Sequence, residues 1–97
     1  MEIEYWKLAE LGPGDRPYKA YRIDLERGYI RVMSSRLTKS GTVVSVNYFG
    51  KPDETGEVTE LTRVDDKRQP VAEFEAELAS FAEKIAASGL KMVIEEI

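Results

Sequence analysis

Val71, Phe74, Leu78, Phe81 and Ile85 step by three and four residues through a stretch that is otherwise charged or alanine. That spacing places all five on one stripe of an α-helix. The helix is predicted over Pro70–Ser88. Pro70 suits its first turn, where a missing N–H is not needed. Glu73, Glu75 and Glu77 lie near the positive end of the helix dipole, and Lys84 lies toward the other end. Gly89 is placed to take the left-handed conformation that stops the helix. The stripe needs a second layer to cover it, and the alanines between let the helix lie close to a sheet.

The rest of the chain reads as that sheet. In Tyr21–Glu26 apolar and charged residues alternate strictly, the pattern of a strand with one dry face. Arg27-Gly28 reads as a tight turn, and Tyr29–Ser34 returns as the hairpin partner with Ile30 and Val32 inward. Lys39-Ser40-Gly41 marks a second turn. Thr42–Phe49 is rich in β-branched and aromatic residues, with Val44, Val46 and Tyr48 on one face and Val43, Ser45, Asn47 and Phe49 on the other. Gly50–Gly56 is a loop, Glu57–Val64 a strand of imperfect alternation, and Lys91–Ile97 a final strand. Residues 3–8 read as a strand, with a short helix ending at Gly12 as the alternative, and Gly12–Pro17 as a stiff connector. The predicted fold is α+β over a single domain, residues 1–97. It is an antiparallel meander of about five strands, with one amphipathic helix on one face and a short C-terminal strand.

Composition narrows the chemistry. The 97 residues include no cysteine and no histidine. That removes disulfides, thiolate nucleophiles, sulfur-built metal sites, imidazole bases and histidine ligands. No basic start followed by an apolar stretch is visible at the N-terminus, and no apolar run spans a bilayer, so a cytoplasmic location without membrane attachment is expected. The net charge of −4 is uneven: residues 16–39 hold seven Lys/Arg against two acids, whereas residues 53–97 hold twelve acids against five bases. A basic segment inside an acidic chain either steers a partner or pairs with the acidic helix across the fold, and pairing is the more ordinary outcome.

Short motifs read as structure. Gly12-Pro13-Gly14 lacks the third glycine and the following helix that a phosphate loop requires. Asp65-Asp66 has no EF-hand spacing and is expected to end a strand and lead into the helix, and Asp53-Glu54 belongs to a loop. Ser34-Ser35 with Lys39 is not a nucleophile pair, because a lysine beside a turn glycine is solvated. No cofactor and no metal are expected.

Strand alternation then gives one candidate surface. Arg22, Asp24, Tyr29, Arg31, Met33, Ser45, Asn47 and Phe49 are expected to point away from the helix, on a sheet face that nothing covers. Arg22, Tyr29, Arg31, Met33, Asn47 and Phe49 are the candidate partner-binding residues. Aromatic and arginine side chains of this kind favour a protein contact, and self-association into a homodimer is expected. The alternative is single-stranded nucleic acid on the basic hairpin 16–39, with Tyr29 and Phe49 stacking bases. A meander followed by one helix resembles PUR-repeat and Whirly-type single-strand binders in topology, from which the strand near 57–64 and the strand after the helix depart. A pI near 4.9 weighs against phosphate binding. A small enzyme resting on carboxylate, lysine or tyrosine is the least favoured class.

Overall fold

The structure is a computed structural model that describes Leu8 and residues 10–96. Five strands pair antiparallel throughout: β1 (Arg16–Asp24), β2 (Ile30–Leu37), β3 (Thr42–Gly50), β4 (Leu61–Pro70) and β5 (Lys91–Glu96). Their order in the sheet is β4-β3-β2-β1-β5. The first four form a meander. The helix α1 (Val71–Ala87) crosses the sheet from the β4 edge and delivers β5 to the far edge, beside β1. The α+β fold read from the sequence is therefore the fold that forms. The element expected over residues 3–8 lies, apart from Leu8, outside the described residues. Among the described residues no helix is long and apolar enough to cross a membrane.

The helix packs with the stripe read from its spacing. Phe74 and Leu78 are buried against Tyr21, Ile23, Met33 and Val43, and Val71, Phe81 and Ile85 close the margins. Ser88 and Gly89 turn back onto the last carbonyls, with Gly89 at φ +80°. Pro70 ends β4 and stands immediately before the helix, so strand passes into helix without a loop. Asp65 and Asp66 lie inside β4 rather than at its end, and β4 starts at Leu61 rather than Glu57. An edge strand tolerates them because its charged side chains reach water.

A second correction concerns which face is which. The expected two-residue turn is instead a five-residue connection, Leu25–Tyr29, with a 3₁₀ turn and Arg27 at φ 61°. Asp24 therefore sits opposite Ile30, and Ile23 opposite Arg31. A one-residue change of register sends every side chain of the returning strand to the other face. Ile30 and Val32 consequently point away from α1, while Arg31 and Met33 point toward it. The following pairing carries the same parity to β3, so Val43, Ser45, Asn47 and Phe49 share the helix side.

The face opposite the helix is not bare. Ile30, Val32 and Val58 form a second buried cluster, with Leu8, Tyr48 and Leu61 packed on it. The 51–60 loop folds under this face and is fixed by Asp53, whose Oδ1 accepts from Thr55 N at 2.8 Å, Thr55 Oγ1 at 2.6 Å and Glu57 N at 3.1 Å. Those donors hold the Asp53 carboxyl below its usual range. The Tyr48 hydroxyl donates to Leu8 O at 2.8 Å, and Arg36 Nη1 to Glu10 O at 3.3 Å.

A bulge in β1 ties the helix down. Pairing shifts by one between Pro17 and Ala20, opposite Ser35. The Ser35 hydroxyl accepts from Lys19 N at 3.0 Å and donates to Lys19 O at 2.6 Å, which answers the ladder groups the bulge releases. Tyr18 and Lys19 then both reach Glu75: the Tyr18 hydroxyl donates to Oε1, and Lys19 Nζ lies 2.7 Å from Oε2. Lys19 and Tyr18 together hold the Glu75 carboxyl below its usual range, and the Glu75 bond pushes Lys19 and Tyr18 up.

A pH dependence follows. A lowered carboxyl contributes stability above its unfolded value, about 4.3, and loses it as pH falls through the folded value. Raised Lys19 and Tyr18 contribute below their unfolded values, near 10, and lose it as pH rises through the folded ones. Glu75→Gln is expected to cost under about 1 kcal/mol near pH 7, since the pair is partly exposed and screened by water, and nothing once the carboxyl is protonated. Urea melts of both proteins from pH 7 to pH 3 check this. A gap that stays constant across that range contradicts it.

Candidate functional site

Five of the six residues singled out in the sequence come together, but on the helix side of the sheet. Tyr29, Arg31, Met33, Asn47 and Phe49 lie there, and only Arg22 points the other way. Met33 is 3% exposed beneath the helix and is core, not contact surface. Arg22 is occupied by Asp24, with Nε 3.0 Å from Oδ1.

The remaining four form a strip that the helix leaves uncovered. Arg31 and Phe49 are direct cross-strand partners, as are Met33 and Asn47. The five-residue connection before β2 brings Tyr29 alongside, so that its ring meets that of Phe49 at 5.4 Å in a tilted stack. Phe49 is 38% exposed, although it is a large apolar residue at the end of a central strand. The Arg31 guanidinium lies 5.0 Å from the centre of the Phe81 ring, which joins the strip to the helix. Asn47 organises the polar end: Oδ1 accepts from the Tyr21 hydroxyl at 3.3 Å and from Arg31 Nη2 at 3.5 Å, and Nδ2 donates to Asp65 Oδ1 at 2.8 Å. Burial pushes the Tyr21 hydroxyl up, so it stays a donor.

Two hollows flank the strip. One, about 510 Å³, is shallow and apolar, between Tyr29, Phe49, Leu25 and Leu90 at the C-terminal end of the helix. The other, about 350 Å³, runs between α1 and β3–β4, lined by Arg31, Asn47, Asp65, Lys67, Gln69 and Glu77. Lys67 closes its rim with both oxygens of Glu77 at 2.9 Å. Gln69 and Lys67 hold the Glu77 carboxyl below its usual range. Most polar groups of this second hollow are paired with one another, although the buried Gln69 Nε2 makes no well-formed hydrogen bond among the described residues, whereas the first hollow is walled mainly by Tyr29, Phe49, Leu25 and Leu90, with Glu26 and Ser88 at its edge.

The basic segment is dispersed rather than concentrated. Lys19 pairs with Glu75, Arg22 with Asp24, and Arg36 Nε with Asp15 at 3.0 Å. Arg31 faces the helix side, while Arg22 and Arg36 face the other. Pairing with the acidic helix accounts for Lys19, and the other two partners come from β1 and the segment before it.

Sequence reading missed Phe81 as a partner of Arg31, because strand parity had placed them on opposite sides. It also missed the cover on the far face. Consecutive Val43 and Val44, both buried, are the signal for a strand dry on two sides. The chain matches no known protein family, no curated protein and no solved structure.

Proposed function

We propose that this chain is a non-enzymatic binding module that acts through protein–protein contacts. Its contact surface is the strip of Tyr29, Arg31, Asn47 and Phe49, with the apolar hollow beside it. The observation that carries this reading is the Phe49 ring, 38% exposed, stacked on the half-buried Tyr29 next to Arg31. Aromatic and arginine side chains in a shallow apolar depression are the usual anchors of protein interfaces. Single-stranded nucleic acid is disfavoured because the cations that would neutralise phosphate are split between two faces, and Lys19, Arg22 and Arg36 among them are matched by carboxylates.

A photoreactive residue at position 49, with a control at position 22, tests the proposal in cells of the source organism. A discrete protein adduct at 49, unchanged by nuclease and weakened by Tyr29→Ala, is expected. An adduct removed by nuclease, or the same products from both positions, contradicts it. Phe49→Ala itself is expected to cost about 1–2 kcal/mol, because the ring is only 38% exposed and stacks on Tyr29. Thermal melts check that the lost contact is not lost folding.

A further inference from the structure

The two edges of the sheet are built differently. The β4 edge is guarded: Thr62 to Arg68 are all exposed, five of them are charged, and a register shift interrupts its pairing with β3. The β5 edge has no such guard. Among the described residues its outer side pairs with no strand, and Val93 and Ile94 are 42% and 44% exposed at its centre. Charges stand only at its ends, Lys91 at one and Glu95 and Glu96 at the other.

We infer that β5 pairs antiparallel with β5 of a second copy, in the register centred on Val93, to give one continuous sheet of two chains. A two-fold axis perpendicular to the sheet keeps both helices on one side and sets residues of like parity opposite each other. Centred on Val93, it places Lys91 against Glu95 of the second copy twice, Met92 against Ile94 twice, and Val93 against itself. Centring on Met92 sets Lys91 against Val93, centring on Ile94 sets Val93 against Glu95, and centring on Glu95 sets like charges together. Only the Val93 register matches apolar with apolar and cation with anion. Within the described residues neither Lys91 nor Glu95 takes part in an ion pair, so both are free for this one. Main-chain hydrogen bonds supply the affinity, and the side-chain pairs choose the register.

The test is a sedimentation dilution series on the wild type, Lys91→Glu and Glu95→Lys, followed by the two variants mixed. Both positions are exposed, so the fold is kept, which circular dichroism confirms. The wild type is expected to dimerise. Each reversal turns two attractive pairs into two repulsive ones and weakens self-association about tenfold. The mixture restores both pairs, one with its charges inverted and one with the native charges, and is expected to form a one-to-one heterodimer as tight as the wild-type dimer. A wild type that stays monomeric overturns the inference. So does a dimer indifferent to both reversals, or one the reversals weaken but mixing does not restore. The Tyr29–Phe49 reading uses other residues and stands or falls separately.

Discussion

Phe74→Ala is expected to destabilise the protein by about 3–5 kcal/mol. Phe74 is 4% exposed and sits at the centre of the contact between α1 and the sheet, among Tyr21, Ile23, Met33, Val43 and Leu78. Its ring also meets that of Tyr18 at 5.8 Å, beside the bulge that holds Glu75. Truncation removes the transfer free energy of the ring and leaves a cavity that five strands, held by their ladders, cannot close. Small domains have about 5–15 kcal/mol in total, so the variant loses much of its margin. Urea denaturation followed by circular dichroism measures it. A cost below about 1 kcal/mol means that the helix does not depend on this contact.

Gly50→Val is expected to cost about 3 kcal/mol or more, for the opposite reason. Gly50 ends β3 where the loop carrying Val58 folds back under the sheet. A Cβ there comes within 2.6 Å of Val58 Cγ1, 2.7 Å of Ile30 Cγ1 and 3.1 Å of Leu61 Cδ2. Overfilling a packed site costs about 1–3 kcal/mol, and valine adds two methyls to an approach already too close. Gly50→Ala is expected to cost less in a Val58→Ala background than alone, because the second change removes one of the two atoms the first strikes most closely. Additive losses in that cycle contradict the close approach of loop and strand.

These two sites show how much the sequence disclosed. Phe74 was legible because its stripe repeats over several turns, and no local error shifts all five positions. In the sequence Gly50 marks only the start of a loop, since its close approach depends on where Val58 lands. The helix, the meander and the final strand follow from periodicity. The assignment of faces does not, because it rests on the residue count between Asp24 and Ile30, and a 3₁₀ turn at Glu26–Gly28 reverses what a tight turn at Arg27-Gly28 implies. That single parity moved the candidate site from a presumed bare face to the margin of the helix. Tyr29, Arg31, Asn47 and Phe49 stayed together because they share the error. Arg22 separated from them because β1 had been read correctly. The propensity of Asp65 and Asp66 points to the end of a strand leading into the helix, while their place on an edge strand, with Asp65 bonded to Asn47, overrides it.

Each sheet face is packed on by its own chain, and what the helix leaves open on its side is the Phe49 ring beside the half-buried Tyr29. Hydroxyl-radical footprinting of the free protein, read residue by residue by mass spectrometry, addresses that directly. Phe49 and Tyr29 are expected to oxidise fast, while Ile30 and Val32 on the far face react as slowly as Phe74. Rapid oxidation at Ile30 and Val32 with protection at Phe49 contradicts the account and returns the candidate contact surface to the opposite side of the sheet.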